Sequence, residues 1–216
     1  MKQVAIILSG CGVFDGAEIH ESVLTMLHLE RQGARYQCFA PDIQQHHVVN
    51  HITGEEQDEQ RNVRVEAARI ARGEVADLAT LDPSEFDALI LPGGFGVAKN
   101  LSDFAFKGAQ SSILEAVKTS CQAFNQQGKP IAYLCIAPAL IGHIHASGTL
   151  ATIGNDEATA QAIESLGARH VNCGVSDIVV DDTHKVISTP AYMLASSVSE
   201  ASDGIEKAVQ KLIELA

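Results

Sequence analysis

The chain has 216 residues, of which 27 are acidic and 15 basic, a formal charge of −12 with neutral histidines. That charge argues against a phosphate-binding surface, and seven phenylalanines and three tyrosines without tryptophan give few platforms for stacking bases. No apolar run approaches the ~20 residues that span a bilayer, and the five apolar residues Val4 to Leu8 are too few for a secretory signal, so the chain reads as cytosolic, or as a mature chain whose targeting segment is missing.

Apolar runs of strand length alternate with segments of helical period. Val4 to Leu8 is a continuous apolar run ending at Ser9-Gly10. Ile19, Val23, Met26 and Leu27 follow at helical steps, and Gly33 stops that helix. Tyr36 to Ala40 reads as a second strand. Residues 44–64 are polar, carry His46, His47 and His51, and read as an excursion with a short strand at His47 to Asn50. Phe86 to Leu91 is a third strand, closed by Pro92-Gly93-Gly94. Ile113, Leu114, Val117, Cys121 and Phe124 share a helical face that ends at Gly128, and Ile131 to Cys135 is a fourth strand. Ala158 to Leu166 is helical. Asp177 to Val180 and Lys185 to Ser188 look like a hairpin, and Ile205, Val209, Leu212 and Ile213 form the buried stripe of a last helix.

Continuous apolar strands are buried on both faces, so their alternation with helices predicts a mostly parallel sheet wrapped on both sides, an α/β three-layer sandwich carrying an added hairpin. With no repeat or low-complexity linker, one domain over 1–216 is the simplest account. In such folds ligands bind beyond the carboxyl ends of the strands. Three segments qualify: Ser9 to Glu18, Gly93 to Asn100, and Cys135 to Ala139.

The five cysteines, Cys11, Cys38, Cys121, Cys135 and Cys173, are widely spaced and odd in number, which fits neither a disulfide framework nor a zinc site. Cys135 differs by position. It ends a strand, and Pro138 suits the first turn of a following helix, whose positive end would lower the thiol pKa. The bland alternative is an inert thiol capping a buried strand. The glycines after the third strand let the backbone present N–H groups to a ligand, as one half of an oxyanion hole completed by the N–H of Ile136, or else form a plain turn. Asp15-x-x-Glu18 reads as a capping box, and Glu18 could also stand beside the thiol as a proton shuttle. Cys11, on Gly10-Cys11-Gly12, is either a second site thiol or a small residue on a turn. No histidine neighbours Cys135 in sequence: His143 and His145 are carried away by the next helix, and His46, His47 and His51 lack the companions of a metal site.

Three segments together resemble one family: Ile7 to Glu21 (ILSGCGVFDGAEIHE), Leu91 to Leu101 (LPGGFGVAKNL) and Cys135-Ile136-Ala137-Pro138. They are similar to the ElbB-like proteins, known as isoprenoid-biosynthesis-associated proteins with glyoxalase activity, a branch of the PfpI superfamily with the class I glutamine-amidotransferase-like fold. Ser188 to Leu194 (STPAYML) also looks like that branch. The resemblance implies a flavodoxin-like sandwich and a homodimer. It implies Cys135 as nucleophile and Glu18 as its acidic partner, with N–H groups from Gly94 and Ile136 for an oxyanion. Gly93, Phe95, Cys11, Asn100 and Tyr192 are then expected to line the substrate site. The superfamily's proteases carry histidine directly after the cysteine, where this chain has Ile136, which weakens protease and amidase readings.

The chemistry so implied is conversion of glyoxal or another small 2-oxoaldehyde to a 2-hydroxy acid, with no metal and no other cofactor. Two alternatives stand beside it. One is a thiol-based, redox-responsive protein with little turnover. The other is a glutaminase-like subunit, against which the missing histidine counts.

Overall fold

The computed structural model describes all residues from Met1 to Ala216. It has nine strands: β1 (Gln3–Ile7), β2 (Arg35–Ala40), β3 (Val75–Asp77), β4 (Ala88–Leu91), β5 (Ile131–Leu134), β6 (Leu150–Ala151), β7 (Arg169–His170), β8 (Val179–Asp181) and β9 (Val186–Thr189). Eight α-helices accompany them: α1 (Ile19–Arg31), α2 (Val63–Ile70), α3 (Phe95–Lys99), α4 (Phe104–Lys107), α5 (Glu115–Gln126), α6 (Ile141–Ile144), α7 (Glu157–Ser165) and α8 (Val198–Leu215).

Seven strands form one sheet in the order β3-β2-β1-β4-β5-β9-β8, and every neighbouring pair is parallel except the β8–β9 hairpin at the edge. β6 and β7 pair separately. The apolar runs of β1, β4 and β5 have no solvent exposure, and their alternating side chains divide into two cores. Val4 and Ile6 face α1, α2 and α8, whereas Ala5 and Ile7 face α5 and α6. The fold is the flavodoxin-like three-layer sandwich that continuous apolar strands require.

The structure departs from the periodicity in three places. Of the expected stripe Met26 is buried in the core with Leu24 and Leu29, but Ile19, Val23 and Leu27 face outward, 42%, 48% and 37% exposed, while Glu21, Ser22, Thr25 and His28 of the same helix are buried. Helix α5 begins at Glu115, so Ile113 and Leu114 pack against the core from the chain before it. In the excursion, the expected strand at His47 to Asn50 reduces to a single bridge between Val49 and Glu56. Helix α2 and edge strand β3 follow it, with Asn62 capping α2 by accepting the N–H of Val65 at 3.0 Å.

Candidate active site

Three parallel strands, β4, β5 and β9, end side by side, and each delivers one part of a buried cluster of side chains and backbone donors around Cys135. From β5 comes Cys135, at φ +58 in the left-handed region. That geometry costs a non-glycine residue on the order of 1 kcal/mol and is typical of a strained strand-to-turn elbow. The surrounding sheet holds it: Cys135 N–H donates to the carbonyl of Thr189 at 3.0 Å. From β4 comes Gly93, packed so closely that a Cβ there would stand 3.0 Å from Cys135 Sγ and 2.8 Å from Glu21 Oε2, with Cys135 Cβ nearer still. From beyond β9 comes Tyr192.

The carboxyl group beside the thiol belongs to Glu21, not to Glu18. Glu21 is fully buried beside Cys135, close enough that each group shifts the other's pKa. Its Oε2 accepts the N–H of Gly93 at 2.8 Å, and its Oε1 accepts that of Tyr192 at 3.1 Å. Glu18 is instead the N-cap of α1, its carboxylate accepting the N–H of Glu21 at 2.6 Å. The capping pattern thus sits three residues later than Asp15-x-x-Glu18. Asp15 is used elsewhere, accepting the N–H of Val49 at 2.8 Å. In a reciprocal box Glu21 would reach back to the N–H of Glu18, but that donor is taken by the carbonyl of Gly93 at 2.9 Å. Glu21 is thereby free to turn toward the thiol.

Burial, and then the nearby Glu18 carboxylate, push the pKa of Glu21 up to about 7, against the pull of the two backbone donors and the thiol. Burial and the Glu21 charge also push the Cys135 thiol up, opposed by N–H groups of Gly94 and Ile136 directed at the sulfur. The sequence led us to expect the reverse, a thiol lowered by a helix start. The segment after Cys135 is a single 3₁₀ turn over Ala137–Leu140 running into the four-residue α6, too short for a large dipole.

The remaining expected site residues divide. The N–H groups of Gly94 and Ile136 act on the Cys135 thiol, lowering its pKa. Gly94 adopts φ +96, which only glycine takes easily. The N–H of Gly93 is occupied by Glu21, so this residue shapes the floor of the pocket. Phe95 opens α3 with its N–H bonded to the carbonyl of Val13 at 2.8 Å and its ring 48% exposed under the Lys99 ammonium. Asn100 does not line the pocket. It is a buried staple, donating to the carbonyls of Ser9 and Asp15 at 2.9 Å and accepting the N–H of His46 at 2.9 Å. Cys11 is half-buried on its glycine turn. Its pKa is raised first by burial and then by Glu66, and its charged neighbours are Glu66, Arg69 and Asp15. No interaction ties it to Cys135.

Each histidine but one is engaged away from this pocket. His145 bonds the buried Tyr133 hydroxyl at 2.9 Å, and burial drops its pKa to about 4. His184 pairs with Asp181 at 3.0 Å, and His46 and His47 stack with Phe106. The exception is His20, whose Nδ1 lies 2.8 Å from the Tyr192 hydroxyl. Glu21 and His20 are the site residues that sequence reasoning passed over. The spacing Glu18-x-x-Glu21 at the start of α1 is the local signal that could have flagged Glu21. No three His, Cys, Asp or Glu side chains converge to hold a metal ion. A cavity of about 1000 Å³ lies elsewhere, between α1, α2, β2 and β3, and is lined by Met26, Cys38 and Ile70 but by none of the residues around Cys135.

No family model matches the chain. It is, however, 44% identical over 223 aligned residues to the human glutamine amidotransferase-like class 1 domain-containing protein 3, mitochondrial, covering 99% of this chain and 83% of that protein. The chain belongs to the family of class 1 glutamine amidotransferase-like domain proteins. Within it, a crystal structure of an isoprenoid biosynthesis protein with an amidotransferase-like domain from Ehrlichia chaffeensis superposes with a TM-score of 0.93 at 38% identity, covering 100% of this chain and 99% of that one. The fold reaches further. Glyoxalase III from Candida albicans aligns with a TM-score of 0.64 at 13% identity, over 99% of this chain and 97% of that one, a likeness of fold alone. No helix of the chain is long and apolar enough to cross a membrane.

Proposed function

We propose that this family member is a cofactor-independent glyoxalase of the ElbB-like branch, converting small 2-oxoaldehydes such as glyoxal to 2-hydroxy acids. The observation that carries this reading is the Cys135–Glu21 pair, with two backbone N–H groups on the sulfur and no histidine bonded to it. Amide hydrolysis needs a group that protonates a departing amine, the task of histidine in cysteine hydrolases. Aldehyde isomerisation needs only a nucleophile and a carboxyl that carries a proton between adjacent carbons.

In this mechanism Glu21 takes the thiol proton as Cys135 adds to the aldehyde carbon C1 and passes it to the new C1 oxygen, giving a hemithioacetal whose hydroxyl lies toward the N–H groups of Gly94 and Ile136 and leaving Glu21 a carboxylate. Glu21 removes the proton from C1 and returns it to C2 through an enediol, leaving a thioester. Water then releases the 2-hydroxy acid and the free thiol. A pKa near 7 suits Glu21 to both halves of the transfer.

We also propose a homodimer joined through the outward stripe Ile19, Val23 and Leu27, apolar surface that the fold itself does not cover. The function is tested by following glycolate formation from glyoxal by NMR for wild type, Cys135→Ala and Glu21→Gln. Wild type should form glycolate and Cys135→Ala none. A Cys135→Ala protein that consumes glyoxal at the wild-type rate would end this reading.

A further inference from the structure

His20 and Tyr192 form a hydrogen-bonded pair, Nδ1 to hydroxyl, at 2.8 Å, with rings 5.7 Å apart and tilted by 46°. The chain brings this pair to the thiol–carboxyl site from two directions. His20 immediately precedes Glu21 on α1 and is exposed, whereas Glu21 is buried. Tyr192 donates its backbone N–H to Glu21 Oε1, and its ring reaches across to His20. Ala191, just before it, is fully buried at φ +44, a strained conformation for a residue with a side chain. The phenol lies close enough to Glu18 and Glu21 that both carboxylates, after burial, raise its pKa. Tyr192 thus keeps its proton until that proton is called for.

We propose that His20 and Tyr192 form a proton relay to the second oxygen of an uncharged 2-oxoaldehyde, with Tyr192 touching the substrate and His20 positioning and recharging it. The proposal rests on the glyoxalase reading and names the substrate class of that same site. Between the hemithioacetal and the enediol, the oxygen on C2 changes from carbonyl to hydroxyl and must gain one proton. Glu21 cannot supply it, because the proton it takes from C1 goes back to C2. With the imidazole proton on Nδ1, His20 donates to the phenol oxygen and leaves the phenol O–H free for the substrate carbonyl. Tyr192 then gives its proton to the C2 oxygen, takes the one on His20 Nδ1, and His20 takes one from water on Nε2. Afterwards the phenol donates to Nδ1, and its oxygen can accept from the new hydroxyl. One proton enters from water at C2 oxygen, and one leaves to water from the C1 hydroxyl as the thioester forms, so the step balances. The two carboxylates, Glu18 and Glu21, repel a substrate that carries its own carboxylate.

The experiment compares wild type, Tyr192→Phe and His20→Gln with methylglyoxal across pH 5 to 9. Protection of Cys135 from iodoacetamide by methylglyoxal, read by intact mass, reports adduct formation separately. Tyr192→Phe should lower kcat by roughly 10²-fold, the scale of lost general acid catalysis, while protection stays within a few-fold. His20→Gln, at an exposed position that leaves the fold intact, should lower kcat about tenfold and raise the solvent kinetic isotope effect on kcat, because proton resupply from water becomes limiting. An active wild type whose two variants keep its kcat and isotope effect overturns the relay alone. A loss of protection equal to the loss of kcat also overturns it, since that is a binding defect. A wild type inactive on methylglyoxal overturns the glyoxalase reading and the relay with it.

Discussion

Gly93→Ala isolates the geometry of the site from its chemistry, because it removes no functional group. Gly93 does not occupy the left-handed region, so alanine suffers no backbone penalty there. Its methyl carbon would stand 2.8 Å from Glu21 Oε2 and 3.0 Å from Cys135 Sγ, with Cys135 Cβ closer still. Restoring ordinary contact requires the thiol and carboxyl to withdraw by on the order of 1 Å, in a core too densely packed to yield freely. A misplacement of that size costs about 10²-fold in turnover, and the overpacking about 1–3 kcal/mol in stability. Glyoxal kinetics and thermal melts on the same preparation measure both. The control is Gly108→Ala, at φ +50 and ψ −121 with nothing within 4 Å of the new methyl, which should lose a similar amount, about 1–3 kcal/mol, from backbone strain alone and no activity. A Gly93→Ala enzyme within twofold of wild type would show that the close packing of β4 on Cys135 does not set the reaction.

Glu21→Gln should cut turnover by on the order of 10²–10⁴-fold while Cys135 still alkylates. The same variant tests linkage. Glu21 holds its proton more tightly folded than unfolded, so its contribution is complete below about pH 4.5 and is lost as pH rises through about 7, a loss of about 3 kcal/mol. Denaturant melts at several pH values should show that slope in wild type and not in Glu21→Gln. Glu18→Gln keeps an acceptor for the helix cap but removes the charge beside Glu21, so the Glu21 titration in the pH–rate profile should move below 7 with turnover retained. A severe loss of turnover in Glu18→Gln would mean that Glu18, not Glu21, carries the proton. Val23→Glu should convert the proposed dimer to monomer in sedimentation runs, and a wild type that sediments as a monomer would refute that face.

The sheet was legible because buried parallel strands leave an unmixed signal: Val4 to Leu8, Ala88 to Leu91 and Ile131 to Leu134 have no competing reading. Cys135 was legible for the same reason, since a polar atom at the end of such a run stands at the sheet's binding edge. Glu21 was not. Its burial is dictated by partners from distant segments, the N–H groups of Gly93 and Tyr192, which no local pattern announces. Helix α1 shows the cost of that blindness. Of its apolar stripe only Met26 reaches the core, and the buried side mixes Leu24, Met26 and Leu29 with Glu21, Ser22 and Thr25. The ElbB-like resemblance pointed to the right motif and the wrong glutamate within it. Asn100 was misplaced for the opposite reason, a polar residue beside a glycine turn whose work is to tie two loops together.

Glu21 is met by groups from the ends of three separate strands and belongs to a helix after a fourth. The thiol therefore acquires its distinctive environment only when β1, β4, β5 and β9 are all in register. Before that it is one of five equivalent thiols. The alkylation rate of Cys135 against those of the other four is thus an internal clock for assembly of the sheet. During refolding it should diverge only once Gly93 and Tyr192 have both reached Glu21.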